Sequence, residues 1–384
     1  MDRLQQARTE IDEIDAEMAA LFTRRMQAVA QVAQYKAETG KAVFDAAREQ
    51  ALLEKNTARV PEKELRPYYN AFLQESLRIS RAYQRHILAQ DTAAYQGVEG
   101  AWAHIALRRI LPFATAQACS TWADVFDAVS GGQAQFGVLP FENSNAGDVS
   151  AVLDLLYAHP DLSVTSLYDL PIRQDLLGVP GAALSDVKTV VSHQQALAQS
   201  RPFLHARGFA TKVWGNTADA ARYVAQQQDK SLAAIASAQT AKLYGLQILV
   251  RGINEDGDNT TRFIVIEKAA PPAPGPGRRL ALLFTVDHKP GKLGSVIQRI
   301  GARGFNMECI KSRPLPHVPF EYYFYVQLAC PQQADADACA ALLRELDTVC
   351  RTVRLLGVFA PRNVGDVNQP NGCEEELCKQ EAKR

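Results

Sequence analysis

The chain has 384 residues, two to three times an ordinary domain of about 100–200, so several domains with separate cores are expected. Basic and acidic side chains balance at 42 each, which excludes nucleic acid or membrane binding through bulk charge but leaves room for a local basic pocket. The amino terminus is charged from its second residue and no run approaches the roughly 18 apolar residues of a membrane span, so a cytoplasmic protein is expected.

Residues 1–90 contain one glycine, Gly40, and two prolines, Pro61 and Pro67. Apolar residues recur every three or four positions at Leu4, Ala7, Ile11, Ile14, Met18 and Leu21, then at Ala28, Val29 and Val32. That spacing predicts one long amphipathic helix ending near Gly40. A second helix is expected around Asp45 to Ala58, and a third after Pro61, through Tyr68, Phe72, Leu73, Leu77 and Ser80. This is an all-helical module.

From 91 to 268 the texture changes. Short β-rich runs (AAYQ, FGVLPF, LSVTSLY, KTVVS, AAIAS, TRFIVIE) alternate with helical stretches (WADVFDAV, QALAQSRPFL, TADAARYVAQ), the pattern of an α/β domain. Residues 269–278, with AAPPAPGPG, read as a semi-rigid linker. Residues 279–360 give strand, helix, strand, strand, helix, strand, a ferredoxin-like βαββαβ module. Residues 361–384 are polar and highly charged and are expected to be disordered. Seven scattered cysteines, an odd number with no CxxC pair, fit neither a disulfide framework nor a zinc site. Cys373 and Cys378, in the tail, read as free thiols.

The first helix carries Arg8, Arg25 and Lys36. Arg25 and Lys36 fall within roughly 20° of one face and about 16 Å apart, so long side chains can converge on one small anion. Arg8 lies about 25 Å from Arg25 along the same rod, too far to share a metabolite-sized site unless it comes from a second copy of the helix. Solvated surface charges are the alternative reading. Asp45, Arg48 and Glu49 share one helix face, as do Ser80 and Gln84. Together these side chains suit a dianion that carries an ether and a hydroxyl.

Arg8-X2-Ile11-X3-Asp15, the Arg24-Arg25 pair, Lys36, Asp45-X2-Arg48-Glu49 and Ser80-X3-Gln84 resemble the all-α chorismate mutases. The resemblance implies an intertwined helical dimer in which Arg8, Arg25 and Arg48 hold two carboxylates. It implies that Lys36 and Gln84 approach the ether oxygen while Glu49 and Asp45 face the hydroxyl end, with Ser80 in the substrate pocket. The chemistry suits such residues, because a Claisen rearrangement needs a substrate held in a compact conformer and donors at the oxygen where charge develops.

In the α/β region four motifs stand out: GVEGAWAH (97–104), PFENSNAG (140–147), SHQQALAQ (192–199) and NTTRF (259–263). No GxGxxG pattern and no Walker lysine is present, so nucleotide chemistry has no support. An acid, an amide and a hydroxyl at the end of a strand, Glu142-Asn143-Ser144, lie where open α/β sheets bind ligands. An Asx-turn at Asn143 and a helix cap at Ser144 are the structural alternatives.

In this order, and with YGL at 244–246, the motifs resemble prephenate dehydratase, which implies two periplasmic-binding-protein-like lobes with the substrate between them. By that resemblance Thr261 protonates the departing C4 hydroxyl, and Arg262 and Phe263 complete its motif. Glu142, Asn143, Ser144, Ser192 and Gln199 would orient prephenate, and Asn259 would support the loop. Gln194 and Gln174 depart from the family's usual residues. No metal and no cofactor are implied.

The C-terminal HKPGKLG (288–294) and GFNMECIKSRPLP (304–316) resemble the ACT amino-acid-sensing domain. This implies an L-phenylalanine site involving Gly291, Leu293 and a Ser312-Arg313-Pro314 turn, with Lys292 and Lys311 departing from the usual GAL and ESRP. The expectation is a homodimer, or a dimer of dimers, that converts chorismate to prephenate and then to phenylpyruvate under phenylalanine feedback. Arogenate dehydration in the second domain and a non-catalytic amino-acid sensor are the alternatives.

Overall fold

A computed structural model describes residues 2–41, 43–255, 258–271, 278–316, 318–331, 336–359 and 361–363. They form two compact units, one reaching to Thr92 and including Phe113–Thr115, the other made of the remainder.

The first unit is helical. α1 (Arg3–Thr39) is an unbroken rod of 37 residues, ended by Gly40 in the left-handed conformation with its amide turned back to the Ala37 carbonyl. α2 (Ala46–Thr57) begins at Asp45, whose Oδ1 accepts the Arg48 N–H at 3.0 Å. α3 (Arg66–Ile87) carries Pro67 in its first turn, where a missing N–H costs nothing. α1 and α2 both pack on α3. Within α1 only Ala33 is buried, and Leu4, Ile11, Ile14, Met18, Leu21 and Phe22 stand exposed.

The second unit holds the strands. In chain order they are β1 (Thr92–Gln96), β2 (Thr115–Cys119), β3 (Phe136–Asn143), β4 (Gly147–Asp148), β5 (Ser163–Pro171), β6 (Asp175–Gly178), β7 (Thr189–His193) and β8 (Ala210–Trp214). There follow β9 (Leu232–Ala236), β10 (Gln247–Val250), β11 (Thr260–Glu267), β12 (Arg279–Thr285), β13 (Asn306–Pro314), β14 (Tyr322–Ala329), β15 (Thr352–Phe359) and β16 (Pro361–Asn363). Helices α4 (Trp102–Ile110), α5 (Trp122–Ser130) and α6 (Ser150–Ala158) follow β1, β2 and β4. α7 (Gln194–Gln199) and α8 (Arg201–Ala206) follow β7, α9 (Thr217–Gln227) follows β8, and α10 (Ala238–Tyr244) follows β9. α11 (Lys292–Ala302) and α12 (Ala336–Asp347) lie after β12 and β14.

The expected single helix over QALAQSRPFL is two, α7 and α8, because Pro202 has no N–H to continue the ladder. Strands β2, β4, β6, β8 and β10 were not expected, β4 being two residues long. β2 and β8 lack a buried face, and β6 and β10 are four residues each.

Two sheets result, one of five strands in the order β10-β6-β9-β7-β8 and one running β13-β14-β12-β15-β5-β11-β3-β1-β2. The chain passes between the two lobes at residues 172–174 and returns between β10 and β11. These crossings are tied together: Ile172 N–H donates to the Asn259 carbonyl (2.7 Å), Ile253 N–H to the Gln174 carbonyl (2.8 Å) and Gln174 N–H to Asn254 Oδ1 (3.0 Å).

β12 to β15 with α11 and α12 have the expected βαββαβ order and their own apolar core, which includes Leu282, Phe284, Val296, Val326 and Leu342. The other face of these strands is not free. Leu283, Tyr323, Tyr325 and Leu356 join one core with Val125, Phe126, Leu139 and Phe141 of the first lobe. Ser312, Arg313 and Pro314 lie in strand β13 and are not a turn, because they pair with Phe324, Tyr323 and Tyr322. Pro361–Asn363, expected in a disordered tail, pair with Leu167, Tyr168 and Asp169 of β5. Residues 272–277 of the linker, and 364–384 with Cys373 and Cys378, lie outside the described residues.

The C-terminal module and the first lobe share one sheet where Gly357 of β15 pairs with Val164 of β5. A Cβ at Gly357 would stand 2.1 Å from the Val164 carbonyl oxygen, a backbone atom with no rotamer to adopt. Gly357→Ala should therefore cost about 2 kcal/mol, as overpacking does, and lower the melting temperature. An unchanged melting temperature would contradict the join.

Candidate active sites

In the helical unit, α1 and α3 bring part of the expected polar set together. Arg25 donates to Ser80 Oγ and, at 3.4 Å, to the Ser76 carbonyl. Burial lowers the pKa of its guanidinium, a penalty that an anionic ligand relieves. Ser80 and Gln84 are both buried, and Gln84 Oε1 has no hydrogen-bond partner among the described residues. Lys36 Nζ donates to the Val43 carbonyl at 2.6 Å. Arg48 is exposed, Asp45 caps α2, and Glu49 is paired with Arg81. Arg81 escaped the sequence reading. It also lies over the Phe44 ring, 5.5 Å from the centroid, and its place beside Ser80 was the available signal. Arg8 is exposed near the start of α1, and the unbroken helix puts it about 25 Å from Arg25. One chain alone does not close this site.

Between the two lobes of the second unit lies a cleft of about 640 Å³. Asn143, Gln199, Asn259, Thr261 and Phe263, all expected at a site, line it. Its polar centre is a chain of amides. Asn143 Nδ2 donates to Asn259 Oδ1 (2.8 Å) and to Thr261 Oγ1 (2.9 Å), and Asn259 Nδ2 donates to Gln199 Oε1 (3.2 Å). Asn143 is 8 % exposed and Asn259 1 %, so both depend on these bonds. Asn143 Oδ1 accepts the N–H groups of Asn145 and Ala146, the Asx-turn weighed as its structural role. It does both jobs. Thr261 Oγ1 is thus the acceptor in its bond to Asn143 and keeps its own proton to donate.

Strand register explains this. β11 runs antiparallel to β3 with Thr261 opposite Asn143 and Arg262 opposite Glu142, then shifts so that Phe263 faces Pro140. Opposed residues share a face, and the extra residue of the bulge puts Phe141 and Glu142 together on the back. Pro140, Asn143, Thr261 and Phe263 therefore line the cleft. Glu142, expected to orient prephenate, and Arg262, expected in the Thr261 motif at the substrate site, do not line it. They line a separate cavity of about 250 Å³ behind the sheet with Arg279, Glu308, Lys311 and Tyr325.

Arg262 makes a bidentate pair with Asp169 (2.8 and 3.2 Å) and a bond to Glu142 (3.0 Å), and the Asp169 carboxylate raises its pKa. Ser192 is fully buried and donates to the Ile235 carbonyl (2.7 Å), which ties β7 to β9. Ser144 braces the turn by accepting the Thr260 N–H at 3.0 Å. Neither serine lines the cleft.

Among the described lining residues there is no lysine or arginine, and Asp148 is the one acid. Donors come instead from neutral groups and from the amino termini of α4, α6 and α9, whose first residues Trp102, Ser150 and Thr217 face the cleft. The sequence reading missed three residues here. Among the described residues, the indole nitrogens of Trp102 and Trp122 and Oε1 of Gln174 are buried without partners. Gln174 had stood out only as a departure from the family's usual residue. The GVEG loop bonds across the lobes, its Gly100 carbonyl accepting from Thr240 Oγ1 (2.9 Å) and its Glu99 carbonyl from the Tyr244 hydroxyl (2.7 Å).

In the C-terminal module Gly291 starts α11 with φ of 79°, a backbone only glycine adopts freely, and Leu293 packs on the module's core. Arg313 is turned to the first lobe, paired with Asp154 at 2.6 Å, while Ser312 and Pro314 are exposed.

Residues 93–271 match the prephenate dehydratase family, and residues 7–85 match chorismate mutase type II. The bifunctional chorismate mutase/prephenate dehydratase of Aquifex aeolicus is 30 % identical over 364 residues, 94 % of this chain and 98 % of that one. Arogenate dehydratase/prephenate dehydratase 2 of Arabidopsis thaliana is 34 % identical over 277 residues, 69 % of this chain and 72 % of that one. Among solved structures, the prephenate dehydratase of Arthrobacter aurescens in complex with L-Phe is similar with a TM-score of 0.65 at 25 % identity, over 76 % of this chain and 97 % of that one. The helical unit carries one of these matches and the cleft the other, and a relative aligns with both along nearly its whole length. The chain belongs to the bifunctional chorismate mutase/prephenate dehydratase family, enzymes of phenylalanine biosynthesis that isomerise chorismate to prephenate and then dehydrate prephenate.

Proposed function

We propose that Thr261 is the acid of the dehydratase. Its hydroxyl gives a proton to the C4 hydroxyl of prephenate, the C4–O bond breaks as water leaves, and the electrons of the departing carboxylate's C–C bond complete the aromatic ring. The products are phenylpyruvate, CO₂ and water, and Thr261 recovers its proton from solvent. The observation that carries this reading is the Asn143 N–H on Thr261 Oγ1. It aims the threonine proton into the cleft and stabilises the oxygen as that proton leaves. Gln199 and Asn259 orient the substrate through the same amide chain.

For the mutase, Arg25 and Arg48 of one chain and Arg8 of a second hold the two carboxylates of chorismate. Lys36 and Gln84 then meet the ether oxygen, with Glu49 and Asp45 toward the hydroxyl. Two features support a homodimer here: the bare apolar stripe of α1, and the length of helix that separates Arg8 from Arg25. A dimer of dimers is compatible with the same contact.

We assign the C-terminal module to the ACT class and give it phenylalanine feedback at Gly291, Leu293 and the 312–314 segment, which titration of the dehydratase rate with phenylalanine decides. Support comes from the L-Phe named in the Arthrobacter complex and from Gly291 opening a helix amino terminus. Arogenate as a second substrate is favoured by the Arabidopsis relative and is decided by assaying both acids. The scattered, odd set of cysteines suits a cytoplasmic setting.

Thr261→Ala should cut dehydratase kcat by about 10³, within the range for a lost general acid, and leave chorismate turnover stalled at prephenate. Full phenylpyruvate production would remove Thr261 from the chemistry. Arg8→Ala and Lys36→Ala proteins should each lack mutase activity. Mixed under conditions of proven subunit exchange, they should regain part of it, and no recovery would contradict the shared site.

A further inference from the structure

Behind the cleft, Lys311 of β13 stands at the centre of a charge network that the reaction scheme does not use. Its side chain is 9 % exposed. Nζ bonds Glu142 Oε1 at 3.2 Å and Asp148 Oδ1, and lies 4.8 Å from the centroid of the Phe141 ring. Glu142 also accepts from Arg262, which holds Asp169, so the network runs Asp148, Lys311, Glu142, Arg262, Asp169.

Glu142 and Asp148 are directly opposed across the β3–β4 hairpin, and Asn143 opposes Gly147. Two carboxylates in that relation repel each other and open the pair. Among the contacts of the described residues, Lys311 is the one cation bonded to both. The turn between them carries Asn143, whose amide aims Thr261. Each ionic residue is one step along the strand from a cleft residue: Glu142 beside Asn143, Arg262 beside Thr261.

We infer that Lys311 is a positioning residue of the dehydratase, supplied by the C-terminal module: it neutralises the Glu142–Asp148 pair and so keeps the hairpin closed with Asn143 on Thr261. This rests on the assignment of the cleft as the dehydratase site. It gives a role to a lysine that departs from the ESRP pattern, and it makes the module a working part of the dehydratase.

The test uses the full chain. Lys311→Met should lower dehydratase kcat by roughly tenfold, as the loss of a positioning contact does, while mutase activity holds. Because the fault is like-charge repulsion, added salt should shrink it. Asp148→Asn placed on top of Lys311→Met should return kcat to that of the Asp148→Asn single variant, and Lys311→Arg should keep most of the rate. If Lys311→Met destabilises the chain, Lys311→Gln at low temperature gives the same comparison, with the thermal melt as a control for folding. Wild-type kcat in Lys311→Met, or a defect that neither salt nor Asp148→Asn relieves, would overturn the inference. An active Thr261→Ala protein would instead overturn the site on which it rests.

Discussion

The pairing of β3 with β11 in a single register is the constraint on which the second unit depends. Thr261 opposite Asn143 and Arg262 opposite Glu142 put neutral hydrogen-bonding groups on one face of the sheet and ions on the other. A slip of one residue would exchange the faces. The ions are held by Asp169 and Lys311, strand and module together, so the register is fixed from behind. Among its described lining residues the cleft then holds one carboxylate, Asp148, and no lysine or arginine. The bulge at Phe141 is part of the device, since it returns Pro140 and Phe263 to the cleft side after two residues have been spent on the back.

The two substrates are both dianions, yet the two sites treat them differently, and the reactions give the reason. In the rearrangement both carboxylates keep their charge, so guanidinium groups, the role proposed for Arg25, can hold them without opposing the chemistry. In the dehydration one carboxylate loses its charge as CO₂ forms. A cation fixed on it would stabilise the substrate more than the transition state and slow the step. A cleft lined by helix amino termini, amides and indole N–H groups, with no lysine or arginine among its described residues, attracts the anion more softly. The balanced charge of the whole chain thus hides a division of labour between its parts.

Much of this was legible in the sequence. The spacing of apolar residues predicts α1 and its end at Gly40, and strand and helix alternation predicts the α/β lobes and the βαββαβ module. The polar motifs converge on one cleft through Asn143, Asn259 and Thr261. What a motif string does not carry is which way each side chain points. PFENSNAG and NTTRF each hold residues of both faces, and only the bulge decides that Glu142 turns back with Arg262 while Asn143 stays forward. Ser192 was misplaced for a related reason, because its hydroxyl bonds the neighbouring strand inside the sheet. The role of Lys311 depends on a contact across 163 positions of chain, beyond any local pattern. Trp102 and Trp122 needed the tertiary structure to stand out.

The central claim is that one strand presents Thr261 to the substrate and Arg262 to the interior network. It is tested most directly by thiol footprinting. Thr261→Cys and Arg262→Cys proteins are alkylated with and without saturating phenylpyruvate, and mass spectrometry of the strand's peptide separates the new thiol from the native ones. The account predicts that phenylpyruvate slows alkylation at 261 and leaves the rate at 262 unchanged. Equal protection at both positions, or protection at 262 alone, would contradict it.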